Sequence, residues 1–407
     1  MSAAVVSLVA VVVWMMLAAS SFMIDLRVFQ DAGVAWSRRL PLYSEDFATS
    51  TGLRFIYPPF AAVLFAPLGA LTPAAGQLLW TAASIGCLWW CLKVLSARCG
   101  IARPGLAAGC LLGLASVLEP VRSNLGFGQI NIFLMTLVIA DLTGATPRRL
   151  RGVGIGVAAA IKITPAAFVL VFLLARDGKS VARAGAAFAA ATVIGAVAAP
   201  QASLYFWATE FFITDRAGAH AFHRNQAITG ALARAGLDGV AKDLVWLLLS
   251  TAVIVAGVYA ISRFQRAGDV VPTIGVATLV TLLIAPIAVT HHWVYCIALL
   301  PVLIAPRYRR WRPMVAVAAA AFILGPHTVL TAPAINSSEG AIPLTIVGNA
   351  QLLTAVMLLI CAVVAARRCD PTPPAPTSLV LTDQHRQQHE GGPAPQLPLS
   401  SLVGEHR

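Results

Sequence analysis

Two ionisable groups, Asp25 and Arg27, stand two residues apart in Met23-Ile-Asp-Leu-Arg-Val-Phe29, directly after the apolar run Ser2–Phe22. A carboxylate where a hydrocarbon helix leaves the bilayer reads either as a solvated helix end or as a general base at a membrane surface. Further polar groups recur at similar places along the chain. Arg54-Phe-Ile-Tyr-Pro-Pro-Phe60 follows in the same stretch, and Arg122, Asn124 and Gly128-Gln-Ile-Asn131 come next. Thr214-Asp-Arg-Ala-Gly218 and His220-Ala-Phe-His-Arg-Asn-Gln226 follow, then Pro286-Ile-Ala-Val-Thr-His-His-Trp293. Taken singly, each has a bland reading: a helix-end charge, a proline bend, an interfacial His pair, an interhelical amide, or a solvated loop acid at Glu45 and Asp46. Their convergence on one side of a greasy protein is the functional signal.

The elements that must position them are membrane helices. Of 407 residues, 58% are hydrophobic and 11% charged, and mean hydropathy is +0.79; a soluble domain carries about a quarter charged residues. Apolar runs suited to spans cover 3–23, 74–97, 104–119, 129–143, 152–175, 182–200, 240–263, 272–289, 293–305, 313–331 and 346–366. The first is read as a retained span, for it lacks the charged start and small-residue site of a cleaved signal. The net charge of +12 sits in short Arg/Lys clusters between spans, the pattern of cytoplasmic loops rather than of a nucleic-acid groove, so no nucleic acid is expected as a partner. The seven cysteines form no C-x-x-C, so neither a disulfide framework nor a zinc site is expected.

With all basic clusters on one side, the run 152–175 has that side at both ends and must enter and return. Lys162-Ile-Thr-Pro165 lies at its middle, where proline disfavours helix in the residue before it. A hairpin of two half-helices is therefore expected, with Lys162 turned to the protein interior because a lysine facing lipid is costly. The run Phe55–Leu71, broken by Pro58, Pro59 and Pro67, then lies outside as a membrane-hugging segment; the competing topology makes it a span and 152–175 a single pass, which also gives twelve but places Arg98, Arg103 and the Arg148–Arg151 cluster outside. This gives about twelve membrane segments, with 24–73, 201–239 and 327–345 as long external loops and 120–131 as a shorter one. Residues 1–369 form the membrane domain, and 370–407, rich in Pro, Gln and Ser, a disordered cytoplasmic tail.

In order, Asp25-Leu-Arg-Val-Phe, Tyr57-Pro-Pro-Phe, Gly128-Gln-Ile-Asn, Ala160-Ile-Lys-Ile-Thr-Pro165, Asn225-Gln-Ala-Ile-Thr-Gly230 and Pro286-Ile-Ala-Val-Thr-His-His-Trp293 resemble the glycosyltransferase family 87 mannosyltransferases of actinobacteria. The family's usual Ser-Pro-x-Ser-Trp before the His pair is only partly kept at Ala285–Val289. The resemblance implies an all-α polytopic fold of the GT-C type, about twelve membrane helices with a short hairpin pair and extracytoplasmic loops. It also implies transfer of mannose from a polyprenyl-phosphate-mannose donor to a glycolipid acceptor, such as a phosphatidylinositol mannoside or lipomannan, in the plasma membrane, commonly as an α-1,2 link.

That chemistry suits the residues present. A phosphate leaving group departs as a stabilised anion and needs no general acid, so one carboxylate suffices, whereas a glycosidase typically uses two. Asp25 is the expected base, and inversion of a β-linked donor gives an α product. The donor phosphate needs cations or donors: His292 and His291 first, as imidazolium, then Arg54, Arg27 and Arg216. Tyr57, Gln129, Asn131, Asn225 and Gln226 are expected partners of sugar hydroxyls, and Trp293 either stacks on a sugar or anchors the interface. No D-x-D is present, and neither a metal nor a cofactor is expected. The competing readings are a lipid or sugar transporter or flippase, whose ionisable groups belong near the midplane of a pseudo-symmetric fold, and the same fold with another polyprenyl-phospho-sugar, such as an arabinose donor.

Overall fold

The computed structural model describes residues 2–43, 46–213, 218–325 and 346–369, and among them it is helical with no strand, only an isolated bridge between Asn225 and Val289. The helices are α1 (Ser2–Ser20), α2 (Ile24–Ser37), α3 (Pro59–Phe65), α4 (Pro73–Arg98), α5 (Pro104–Val117), α6 (Glu119–Phe127), α7 (Asn131–Thr143), α8 (Val153–Ile161) and α9 (Val169–Leu174). They continue with α10 (Gly178–Ala198), α11 (Pro200–Ala208), α12 (Ile228–Arg234), α13 (Gly239–Arg266), α14 (Val270–Ile284), α15 (Leu299–Ile304), α16 (Arg312–Leu324) and α17 (Ala350–Arg367).

Among the described residues, five helices are long and apolar enough to cross a membrane: α1, α4, α10, α13 and α17. A sixth results if α5 and α6, bent by 79°, count as one span. The expectation of about twelve is not met by length. The apolar helices Asn131–Thr143, Val270–Ile284 and Thr290–Ile304 are only 10–17 residues long, and at about 1.5 Å per residue such helices fall short of the roughly 30 Å hydrocarbon core.

Two segments differ from the sequence reading. Residues 24–37, expected as external loop, form α2, because the chain breaks at Ser21-Phe22-Met23 and restarts with an amphipathic turn that buries Leu26, Phe29 and Ala32. Residues 120–127, also expected as loop, lie in α6. An extended Leu118 with Pro120 behind it ends α5 and starts a new helix. Phe55–Leu71 holds α3 and a 3₁₀ turn, Ala66–Ala70, too short to span, packed on α2 through Gln30 Nε2 to the Leu68 carbonyl at 3.2 Å.

The hairpin is present. α8 ends at Ile161, and the chain returns through the 3₁₀ turn Thr164–Phe168 into α9. Its two ends meet where the Arg151 guanidinium lies 5.2 Å from the Phe172 ring centroid, and Arg183 Nε of α10 donates to the Arg151 carbonyl at 2.8 Å. Gly156 permits the close approach of α8 to α10, since a Cβ there would sit 2.2 Å from the Ala184 carbonyl oxygen.

The basic clusters share one end. Arg307 reaches the Arg98 carbonyl at 3.5 Å, Arg98 binds the Thr143 carbonyl, and Arg263 donates to the Cys369 carbonyl at 2.6 Å. Asp25 belongs to the opposite end. Gln77, near the start of α4, holds the Ser21 carbonyl at 2.8 Å, and from there α4 runs about 30 Å to Arg98 at 1.5 Å per residue.

Candidate active site

Asp25 lies in the first turn of α2, where the positive end of the helix dipole favours an anion. Phe29, one turn on, locks the helix by stacking on Phe65 at 4.5 Å and meeting Tyr57 edge-on at 5.3 Å. The turn between α6 and α7 then closes on Asp25. It passes through Gly128 at φ +69°, where a Cβ would lie 2.6 Å from Leu26 Cβ, so glycine is required both for the left-handed backbone and for the close approach.

Gln129, the next residue, hydrogen-bonds the Asp25 carboxylate, while its own carbonyl accepts from Tyr57 Oη at 3.3 Å and Asn131 Nδ2 at 3.4 Å. Tyr57 stays a hydroxyl donor, because burial and the nearby Asp25 charge both hold its proton on. Asp25, which lies outside the spans, is pushed up to about 6 by burial, against the Gln129 hydrogen bond and the Lys162 charge, which both pull it down. A carboxyl near 6 is poised to take a proton close to neutral pH.

Lys162 completes the group. Pro165 keeps the hairpin tip out of helix, and Lys162 itself is extended (φ −149°, ψ 124°). Its ammonium reaches Asn131 Oδ1 at 3.0 Å and His292 Nε2 at 2.8 Å and lies 5.5 Å from the Tyr57 ring centroid. It turns inward, as a lysine in an apolar run should, and inside it faces the same carboxylate that Gln129 holds. Reasoning from sequence put Lys162 in the interior without assigning it to the site. The signal that could have found it is its place at the helix break of the hairpin.

The His pair enters through the 3₁₀ turn Thr290–Ala298. His292 accepts from Lys162, for an ammonium has only donors. A cation beside the ring opposes a second positive charge, so the ring is neutral here, not the expected imidazolium. Its proton then sits on Nδ1, which is buried without a protein partner. His291 works through its backbone: its carbonyl accepts from Asn124 Nδ2 at 2.6 Å and Asn131 Nδ2 at 3.4 Å, while its ring meets Phe127 edge-on at 6.0 Å. A cavity of about 30 Å³ lies among Asn131, Lys162, Thr164, Pro165, His292 and Tyr295. Among the described residues, no group of three or more His, Cys, Asp or Glu is placed to hold a metal ion.

The remaining sequence-derived candidates lie elsewhere. Because α2 is helical, Arg27 points about 200° around the axis from Asp25, and its guanidinium lies 5.7 Å from the Phe22 ring centroid. Arg54 pairs with the buried Glu210 at 3.4 Å. Arg216 lies outside the described residues.

Asn225 and Gln226 are 0% exposed, so they are structural ties rather than open sugar contacts. Asn225 Oδ1 accepts from the Ala227 and Ala288 amides at 3.2 and 3.0 Å. Gln226 holds the Gly348 carbonyl at 2.9 Å and the Gln351 amide at 3.2 Å. Trp293 is 2% exposed and donates to the Ala288 carbonyl at 3.4 Å, packed in the core rather than turned to a sugar or the interface. Arg224 was not among the candidates. It pairs with the buried Glu119 at 3.7 Å and lies 5.7 Å from the Phe127 ring centroid, which His291 also meets.

No solved structure matches the chain. Relatives are nonetheless clear in sequence. A polyprenol-phosphate-mannose-dependent alpha-(1-2)-phosphatidylinositol mannoside mannosyltransferase of Mycobacterium tuberculosis is 36% identical over 323 residues, 74% of each chain. Its namesake from Mycolicibacterium smegmatis is 37% identical over 325 residues, 73% of each. A polyprenol-phosphate-mannose-dependent alpha-(1-2)-phosphatidylinositol pentamannoside mannosyltransferase of the same organism is 32% identical over 303 residues, 73% of each. The model of glycosyltransferase family 87 matches residues 55–289, which takes in Tyr57, Gln129, Asn131 and Lys162. With more than half its length under that model and relatives above the 30% level, the chain belongs to glycosyltransferase family 87 and is a glycosyltransferase rather than a transporter.

Proposed function

We propose that the chain transfers mannose from a polyprenyl-phosphate-mannose donor to a phosphatidylinositol mannoside, forming an α-1,2 link with inversion. The names of the relatives support the donor and acceptor class. The observation that carries the mechanism is Asp25, raised to about 6 and set against Lys162, which is itself bound to His292.

Asp25 takes the proton of the acceptor hydroxyl as that oxygen bonds to the anomeric carbon. The bond from the anomeric carbon to the phosphate oxygen breaks, and its electron pair leaves with the polyprenyl phosphate. Lys162 and the Nδ1–H of His292 are the donors that meet the departing charge, which makes a general acid unnecessary. Tyr57, through Gln129, keeps the carboxylate oriented. A monophosphate carries little enough charge for these groups to meet without a metal ion.

The basic end faces the cytoplasm by the excess of arginine there, which puts Asp25 at the extracytoplasmic face of the plasma membrane. The short apolar helices then complete a GT-C bundle of about twelve membrane segments over 1–369, and the tail 370–407 takes no part in catalysis. Membranes carrying the protein, given radiolabelled polyprenyl-phosphate-mannose and a panel of phosphatidylinositol mannosides, should yield a labelled glycolipid that an Asp25→Asn control does not. Label in no acceptor, or equal label with the control, would refute the reading.

A further inference from the structure

A second cavity, of about 360 Å³, lies between α14, α15, α16 and α17, away from Asp25. Its body is apolar, walled by residues such as Leu279, Val302, Phe322 and Leu358. Its mouth is not: Arg307, Arg310 and Arg368 line it at the basic end, with Asp269 as the single carboxylate. Asp269 is already occupied, by Arg307 at 3.1 Å and by the Tyr308 hydroxyl at 2.5 Å. Arg310 and Arg368 are exposed and have no ion-pair partner among the described residues. The cavity thus combines a hydrocarbon-lined interior with two uncommitted guanidiniums at one end.

We propose that this cavity binds an anionic glycerophospholipid, its phosphate on Arg310 and Arg368 and an acyl chain in the apolar interior. The alternative occupant, the chain of a polyprenyl-phosphate donor, fits the charge pattern poorly, an argument that rests on the donor role given above to Lys162 and His292. That donor carries its phosphate at the active-site end and only hydrocarbon at the other. The segment from His292 to Arg307 runs about 25 Å at 1.5–2 Å per residue. Tyr295, stacked on Phe168 at 5.1 Å, stands between the two cavities and lines both. A lipid whose charge meets the arginines must therefore enter from the leaflet at the basic end, not from the face that holds Asp25. Arginines at that depth attract anionic headgroups and add about 1 kcal/mol each.

The test uses the full-length protein in detergent, with binding rather than turnover as the readout. Phosphatidylglycerol, phosphatidylcholine and polyprenyl phosphate are titrated separately and scored by native mass spectrometry and thermal unfolding. Phosphatidylglycerol should bind and raise the unfolding temperature, and phosphatidylcholine should do so far less. The double variant Arg310→Gln, Arg368→Gln, at two exposed positions, should weaken phosphatidylglycerol binding by about thirtyfold, the loss expected for two interfacial arginines. Gly275→Leu should block the cavity while folding normally, because a Cβ at Gly275 meets nothing within 4 Å. Equal binding of the two phospholipids, or binding indifferent to both variants, overturns the proposal. Polyprenyl phosphate binding that Gly275→Leu alone removes would assign the cavity to the donor chain and overturn it as well. None of these outcomes depends on whether the transferase reading holds, which the radiolabel assay tests separately.

Discussion

Replacing Asp25 by asparagine separates catalysis from folding, because the two should move in opposite directions. The carboxyl has an ordinary value of 3.8 and is raised to about 6 in the fold. At 1.36 kcal/mol per pKa unit, keeping it ionised costs the folded protein about 3 kcal/mol, an upper figure because water reaching the half-buried carboxylate screens it. The folded carboxyl keeps its proton up to about 6 while the unfolded one releases it near 3.8. The stability of the wild type therefore falls as pH rises between those values and levels off above them.

Asparagine keeps the shape and the contact with Gln129 without the charge. The variant should unfold at the same or a higher temperature than wild type at neutral pH, and the gap should close as pH falls below about 6. Its transfer rate should drop by about 10²–10⁴-fold, as for a removed general base. The rise in wild-type rate with pH through about 6 should also vanish from the residual activity. Thermal unfolding and radiolabel transfer across pH measure both. Near-wild-type turnover would refute the base assignment, and a variant markedly less stable at neutral pH would refute the buried-charge argument.

Lys162→Met removes a charge that holds the Asp25 carboxyl down, so the midpoint of the rate–pH profile should move above about 6, with kcat lower by about 10²-fold from the lost phosphate donor; an unmoved midpoint would separate Lys162 from Asp25. His292→Ala should raise the donor KM and lower kcat, whereas His291→Ala should do less, because the group His291 supplies is its carbonyl, held by Asn124 at 2.6 Å. Equal effects in separate donor titrations would count against the geometry. Gly156→Ala drives a methyl against the Ala184 carbonyl oxygen, 2.2 Å from the new Cβ, and should cost about 1–3 kcal/mol as overpacking does, lowering the unfolding temperature and, by displacing the hairpin, the activity.

The sequence by itself determined a helical membrane protein, the placement of its basic clusters at one end, the hairpin around Pro165, and the polar residues that gather at the other end. Those conclusions rest on properties that survive without contacts: hydrocarbon length, the cost of charge in lipid, and the backbone limits of proline. It also carried the family, through short motifs in fixed order. Local signals did not separate Asn124, Gln129 and Asn131, which meet the site, from Asn225 and Gln226, which tie buried backbone. An amide looks the same in sequence whichever partner it finds.

Nor could spacing orient Arg27: only the helical state of α2, set by burial of Leu26 and Phe29 against α3 and the α6–α7 turn, turns it away from Asp25. Lys162 shows the division most clearly. Its cost in lipid sends it inward, but that it stops between Asn131 and His292, beside Asp25, follows from three separate elements converging. Tertiary packing alone makes that convergence, since Lys162 stands 31 positions from Asn131 and 130 from His292 and a carboxyl's proton affinity depends on what surrounds it.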